Sequence, residues 1–396
     1  MHLTEEEEHI LNGESGFAAQ KSMQILVALG EIFGAERMIP VTSVQVAGVS
    51  YHNLADAGLE YLESLAASGA HAQVKTTLNP AGMDLENWRE LGIDAGFAEK
   101  QGRVIRAFTR MGVTASCTCT PYLVGNKPCR GEHVAWSESS AVTYANSVLG
   151  AMTNREGGPS ALAAALTGRT AYYGMHLEEN RKPQVHVKVD AKLRAVPDFG
   201  ALGYAVGKKI GSRIPLFEGI DNANLEQLKS LCASIATYGG TALFYTRPIV
   251  NEEQERPTET LSVTGSDINE ALSALNDDVT EVDFVALGCP HCTLEEIKTI
   301  ASLLDGQKVT VEFWICTARQ TMKEAEKEGY AQIVRASGAK FACDTCMAVA
   351  PLKGRFKVLA TESAKACYYG RGSNDFKTRI GTVEECVRAA VTGRWN

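Results

Sequence analysis

The chain has 396 residues and no uninterrupted apolar stretch approaching the ~20 that a membrane helix needs. A helical membrane span is therefore not expected. It also has no basic excess. Lys and Arg total 39 against 47 Asp and Glu, a formal net charge of −8. Nonspecific nucleic-acid binding needs a basic surface, so that role is excluded, although a local basic site for a small anion is not. There is no GxxxxGK[ST] phosphate loop and no GxSxG elbow. The glycines of GYAVGKKIG lack the strand–GxGxxG–helix order of a dinucleotide site. Nucleotide-dependent chemistry is therefore unsupported. Tandem repeats, coiled-coil heptads and low-complexity tracts are missing too. The opening MHLTEEEEHILNG has no basic region followed by an apolar core, so it does not read as a secretory signal. The expected compartment is the cytoplasm, where eleven cysteines need an explanation other than disulfides. With 45% hydrophobic and 22% charged residues, the composition excludes a largely disordered or collagen-like chain.

What is present alternates between strands and helices. Thr4 and Glu7 form a capping box for an opening helix. A second helix is expected over residues 20–33, on apolar Met23, Ile25, Leu26, Leu29 and Ile32. Residues 38–48 read as a strand, 54–69 as a helix, and 71–79 and 103–116 as strands. This rhythm implies a parallel sheet with crossover helices. REGGPS at 155–160 punctuates the middle, and a helix follows to about residue 168. Residues 176–190 are charge-rich and read as mixed polar, half-exposed chain. A boundary is expected in the Gly- and Pro-bearing 205–220. It divides an N-terminal α/β region, 1–210, from a C-terminal doubly wound α/β region, 211–396. In the latter, strands are expected at 241–247, 259–265, 282–288, 308–316, 339–345 and 357–361. Helices fall between them, and another closes the chain at 382–393. The expected class is α/β with several parallel β/α regions.

Three cysteine groups end strand-like segments: Cys117-Thr118-Cys119, Cys289-Pro290-His291-Cys292 and Cys343-Asp344-Thr345-Cys346. Ligands of open α/β sheets bind at the carboxyl ends of strands, so three thiol loops there can share one crevice. Thr293 and Glu296 form a capping box after the second group. The partial positive charge of that helix N-terminus favours thiolate, the metal-binding form. Paired CxxC motifs also suit structural zinc, but zinc ribbons separate them by roughly 15–20 residues, and here residues 293–342 intervene. A thioredoxin-like redox pair and inert core thiols are the other readings. An iron–sulfur cluster held by thiolates from separate loops fits the spacing best.

Two further clusters suit anions. One runs from Glu138-Ser139-Ser140 through Asn154-Arg155-Glu156 to Ser160. Here Gly157 and Gly158 permit tight backbone, Pro159 starts a helix, and Arg155 could grip a carboxylate or phosphate. A helix-capping turn with a structural arginine has the same composition. The other cluster is Ser363 and Lys365, with Arg371 and Lys353 nearby, which suits phosphate or equally a solvated loop. His133, His176 and His291 are lone histidines, each ordinarily structural.

The stretches TCTPYLVGNKP, GEHVAWSESSAVTYANSVLGAMTNREGGPSALAAALTGR, GCPHCTLEEI and CDTCMAVAPL together resemble the large, catalytic subunit of the aconitase X family, and the resemblance runs over essentially the whole chain. It implies an aconitase-superfamily-like α/β fold around an iron–sulfur active-site cleft. The implied activity is a hydro-lyase reaction, dehydration of (R)-5-phosphomevalonate to trans-anhydromevalonate 5-phosphate in an isoprenoid pathway of archaeal type. The iron of a cluster, expected as [4Fe–4S], would act as Lewis acid. Carried over, Cys119, Cys289 and Cys346 are the expected ligands, with Cys117, Cys292 and Cys343 in reserve. Glu138, Ser139, Ser140, Asn154, Arg155 and Ser160 would line the substrate site, with Ser363 and Lys365 on its carboxylate or phosphate. The implied partner is a separate small swivelling-domain subunit. Its serine is the expected base, with Glu156 and His133 as alternatives in this chain. The family's other activity, dehydration of cis-3-hydroxy-L-proline, is the competing substrate reading. A zinc-stabilised, non-catalytic scaffold is the competing class.

Overall fold

The computed structural model describes residues 1–246 and 256–395. The chain divides into two compact units, one of Met1–Ala81 with Asp94–Lys182, the other of Gly82–Ile93 with Pro183–Asn396. Among the described residues no helix is long and apolar enough to cross a membrane.

In the first unit the apolar run 38–48 breaks into two strands. β1 (Met38–Pro40) pairs antiparallel with β5 (Arg169–Ala171). β2 (Ser43–Val46) is the centre of a parallel sheet, between β3 (Lys75–Leu78) and β4 (Ala135–Trp136). The helices are α1 (Glu5–Asn12), α2 (Phe17–Ile32), α3 (Tyr51–Ala67), α4 (Ala95–Arg110), α5 (Ser139–Tyr144) and α6 (Gly158–Thr167). The Thr4–Glu7 capping box forms as expected. The strand expected at 103–116 is instead mostly the end of α4. Asp94 caps that helix through the Phe97 amide, and Ala98, Gln101, Val104, Ile105 and Phe108 are buried. Their three-to-four spacing is that of one helix face, and it overrides the strand preference of the Val-Ile pair.

The second unit holds two parallel sheets. The first has the order β8-β7-β6-β9, from β6 (Val185–Val189), β7 (Pro215–Glu218), β8 (Tyr245–Thr246) and β9 (Thr260–Val263). Thus 176–190, expected to be half-exposed polar chain, contains a central strand in which only Lys188 is exposed. The strand expected at 241–247 is seen as β8, and Arg247 lies outside the described residues. Helices α7 (Val196–Ile210), α8 (Leu225–Tyr238) and α9 (Gly265–Leu275) accompany this sheet.

The boundary expected at 205–220 does not fall there; the break between units comes at Lys182. Gly207 in that stretch, and Gly203 just before it, do not act as a linker. A Cβ at Gly203 would come within 2.6 Å of Ser234 Cβ, and one at Gly207 within 2.9 Å of the Gly239 amide. They let α7 lie directly against the α8 segment, and β7 follows within the same sheet.

The second sheet has the order β12-β11-β10-β13-β14, all parallel, from β10 (Phe284–Cys292), β11 (Glu312–Thr317), β12 (Lys340–Cys343), β13 (Val358–Thr361) and β14 (Lys377–Ile380). It is served by α10 (Leu294–Leu304), α11 (Arg319–Lys327), α12 (Tyr330–Ser337), α13 (Ala364–Asn374) and α14 (Val383–Thr392). Val285, Leu287, Phe313, Ile315 and Phe341 build its core with Ile297 and Ile300 of α10. Strands buried on both faces read as continuous apolar runs, which is why these were visible in the sequence. From β10 the chain winds one way to β12, then returns to the other side of β10 for β13. The order therefore reverses between β10 and β13, the position at which open α/β sheets bind ligands.

Candidate functional site

Both flanks of that reversal carry expected site residues. After β10's regular pairing ends at Leu287, Gly288 turns with φ +95°. A Cβ there would strike the Cys316 carbonyl and lie 3.0 Å from Cys292 Sγ, so only glycine fits. The stretch beyond is fixed at several points. His291 Nε2 lies 3.0 Å from the Thr345 carbonyl oxygen, and Thr317 donates its hydroxyl to the Cys292 carbonyl at 2.8 Å. The Thr293–Glu296 capping box forms. In it Glu296 accepts the Thr293 amide at 2.7 Å and also pairs with the buried Lys229 at 2.6 Å. His291 is therefore a staple between two cysteine loops.

Cys289 is buried, and burial pushes its thiol pKa up. The neighbouring Cys346 raises it further, while the Lys365 ammonium and a hydrogen bond with Ser363 pull it down. This single neighbourhood joins four of the expected site residues: Cys289, Cys346, Ser363 and Lys365. Ser363 also caps α13, accepting the Ala366 amide at 3.2 Å. Lys365 is buried beside Tyr369. Arg371 and Lys353 point elsewhere. Arg371 pairs with Asp277 at 3.1 Å and Lys353 with exposed Asp375 at 2.8 Å.

The members of the cysteine pairs differ in surroundings. Cys343 is pushed up by burial and then by Asp84 and Asp344. Cys316 is pushed up by burial, then by Cys346, Cys292 and Cys289. Cys316 went unnoticed in the sequence because it is a lone cysteine inside an apolar strand. The Cys346 loop is pinned from below. Arg319 reaches Asp344 through Nε at 2.8 Å and also pairs with Asp84. Asp84 in turn accepts the Cys343 amide at 3.0 Å.

Glu362 is a further residue that sequence reading missed. It lies between β13 and Ser363 and is buried, and it accepts the Gly288 amide through Oε1 at 2.8 Å. Burial pushes its carboxyl up to about 7.

The first unit gathers its candidates at the carboxyl end of β2. Buried Gln45 donates to the Thr118 carbonyl at 3.2 Å and accepts the Glu138 amide at 3.3 Å. It thereby ties the Cys119 loop to the Glu138 turn. Cys119 is buried there. A Cβ at Gly158 would meet the Ala47 carbonyl at 2.6 Å, so the start of α6 abuts the same strand end.

Several candidates here have structural work. Glu138 caps α5, accepting the Ala141 amide at 2.7 Å and the hydroxyls of Ser140 (2.5 Å) and Ser139 (3.3 Å). Asn154 uses both ends of its amide on a neighbouring turn, with Tyr173 O at 3.1 Å and the Met175 amide at 2.7 Å. Glu156 is buried and accepts Ser160 at 2.6 Å and Thr170 at 3.3 Å, while burial raises its pKa. His133 Nδ1 lies 3.0 Å from His176 Nδ1. Burial, with Arg181 and Arg37, lowers the His133 pKa. Glu156 and His133 are thus both engaged in hydrogen bonds within the first unit. Arg155 is different: it is exposed and makes no hydrogen bond or ion pair among the described residues.

An iron–sulfur cluster asks for thiolate donors. The second unit brings the thiols of Cys289 and Cys346 together, the nearby His291 is held to the Thr345 carbonyl and Glu362 to the Gly288 amide, and Cys119 belongs to the first unit. The donors fit in kind. Among the described residues no three His, Cys, Asp or Glu side chains form a ready metal site.

Three family models match the chain in order: Aconitase X first domain over residues 1–179, second domain over 183–273, and third domain over 282–392. The phosphomevalonate dehydratase large subunit of Methanocaldococcus jannaschii is 47% identical, covering 98% of this chain and 100% of that protein. Its counterpart in Methanothermobacter thermautotrophicus is 48% identical, covering 94% of each. The cis-3-hydroxy-L-proline dehydratase of Pseudomonas aeruginosa is 34% identical, over 97% of this chain but 69% of that protein. The crystal structure of Thermococcus kodakaraensis aconitase X, in its holo form, superposes with a TM-score of 0.90 at 43% identity, over 98% of this chain and 100% of that one. The family resemblance carried by the motifs is thus matched along the full length, and the chain belongs to the aconitase X family as an enzyme of the hydro-lyase class.

Proposed function

We propose that this chain is the large subunit of a phosphomevalonate dehydratase of the cytoplasm, acting on (R)-5-phosphomevalonate with a separate small subunit. The observation that carries the reading is the grouping of Cys289 and Cys346 with Ser363 and Lys365 at the sheet's reversal point. It is supported by identities of 44–48% to four archaeal large subunits, with a fifth at 34%, against 33–34% to the hydroxyproline enzymes. The chain also matches nearly the full length of the former but 69% of the latter. The remaining part of those longer enzymes corresponds, in this reading, to the small subunit.

Dehydration removes the 3-hydroxyl and a proton from C2. Hydroxide leaves poorly at neutral pH. Cys119, Cys289 and Cys346 would hold an iron–sulfur cluster, [4Fe–4S] in this reading, whose open iron supplies Lewis-acid assistance to the departing hydroxyl. Lys365, largely shielded from water, binds one anionic end of the substrate, and Ser363 orients it by hydrogen bonding. The unpaired Arg155 offers a guanidinium to the other anion. By the family resemblance the proton acceptor is assigned to a serine of the small subunit, with Glu156 and His133 as the alternatives in this chain.

The test is anaerobic turnover of the chain with its small subunit. (R)-5-phosphomevalonate should be dehydrated, unphosphorylated mevalonate should not, and Lys365→Met should lower kcat/KM by about 100-fold or more, the loss of a charged, buried substrate contact. Turnover of cis-3-hydroxy-L-proline in place of phosphomevalonate would overturn the reading.

A further inference from the structure

We propose that Glu362 is a positioning residue of the active site, tying the loop that presents Cys289 to the strand end that presents Ser363 and Lys365. The inference rests on the reading of Cys289 as a cluster ligand. Glu362 follows Thr361, the last residue of β13, and precedes Ser363, the cap of α13. Its Oε1 accepts the Gly288 amide at 2.8 Å across 74 residues of sequence. Gly288 is the residue before Cys289, and it lies just past Leu287, where the regular ladder with β11 ends. The rest of the loop has other anchors. His291 is held to Thr345 O, the Cys292 carbonyl accepts Thr317, and the Thr293 amide is accepted by Glu296. Those bonds fix the loop after Cys289. Glu362 fixes it before Cys289, and it does so from the element that carries the substrate-binding residues.

The second carboxyl oxygen sharpens the point. Glu362 Oε2 is buried and has no hydrogen-bond partner among the described residues. A buried carboxylate serving stability alone would be expected to satisfy both oxygens. Here one oxygen makes the clamp, and the group need not be charged to make it. What matters is an acceptor at the reach of a glutamate. Residues one step behind a metal ligand commonly change metal affinity by about 10–100-fold when replaced.

Three variants separate reach from charge. Glu362→Gln keeps the acceptor and the length. Glu362→Asp keeps the charge but retracts it by one methylene, leaving the Gly288 amide unpaired. Glu362→Met removes the acceptor. Each full-length chain would be purified without oxygen with its small subunit. Readouts are bound iron and sulfide, the rate of iron loss to a chelator, the electron paramagnetic resonance spectrum, and kcat with KM. Glu362→Gln should keep wild-type iron retention and spectrum. Glu362→Asp should lose iron about tenfold faster or more, with an altered spectrum and a raised KM. Glu362→Met should do the same where it folds, and the Gln–Asp comparison stands without it. A fully retentive Glu362→Asp, or a Glu362→Gln as impaired as Glu362→Asp, would overturn the inference while leaving the cluster reading intact. Wild-type protein with no iron and sulfide would instead overturn the cluster reading, and this inference with it.

Discussion

Replacing Arg319 by Met should be among the most damaging single changes in the second unit. The guanidinium is 14% exposed and lies between Asp84, fully buried, and Asp344, 3% exposed. Asp84 also accepts the amides of Glu86 (2.9 Å), Asn87 (2.7 Å) and Cys343 (3.0 Å). Arg319 thus neutralises two carboxylates that hold the base of the Cys346 loop. Methionine fills much of the volume and none of the charge. Leaving one buried partner uncompensated costs about 3–5 kcal/mol, and here two carboxylates would face each other. In a unit of this size that corresponds to a fall in melting temperature on the order of 10 °C. Calorimetry on the metal-free chain measures it without interference from cluster loss. Arg319→Lys, which keeps a cation but not the fork, should fall between wild type and Met. A change below about 1 kcal/mol in Arg319→Met would refute the argument, because it would mean the two carboxylates are hydrated or paired elsewhere.

Other consequences are as concrete. Cys346→Ser and Cys289→Ser should abolish iron binding while Cys343→Ser largely retains it, since Cys343 sits among Asp84 and Asp344; equal iron loss in all three would reject the choice within the pair. Gly288→Ala should destabilise the chain by about 2–4 kcal/mol or prevent its folding, from a left-handed φ and a carbonyl in the way of the new Cβ; a near-neutral melting temperature would contradict it. Stability should fall as pH drops below about 6.5. Buried His176 stays neutral in the fold down to about 3, because of burial and then His133 and Arg181, whereas the unfolded chain takes up the proton near 6.5. The unfolded state therefore binds more protons across that window, and stability is lost at up to about 1.4 kcal/mol per pH unit. His176→Gln should flatten the slope of denaturation midpoints between pH 6.5 and 5, and an unchanged slope would exclude this source.

The sheet β10–β14 and its thiol loops were legible because doubly buried strands read as apolar runs and the cysteines mark where those runs end. The capping boxes at Thr4 and Thr293 were legible because they depend on residues three apart. Less local features were hidden. Gln45 and Glu362 meet partners 73 or more residues away, so neither is distinctive until the strands are aligned. β6 was masked by the charges flanking it, although its own VHVKV is buried but for Lys188. The α4 segment carries strand-favouring residues at helical spacing, and the spacing decided. The roles of Glu138 and Asn154 were also hidden. Besides the substrate role that the resemblance implies for them, both bond to the turns that shape the first unit's end of β2 and β4.

The metal content of the chain is the most direct test of the iron–sulfur site. Iron, acid-labile sulfide and zinc should be measured together in the chain purified without oxygen. Iron and sulfide in near-equal amounts, approaching about four of each per chain with negligible zinc, is the predicted result. Stoichiometric zinc without sulfide would contradict it, because the thiols of Cys289 and Cys346 would then serve a structural site and no Lewis-acidic iron would stand beside Ser363 and Lys365.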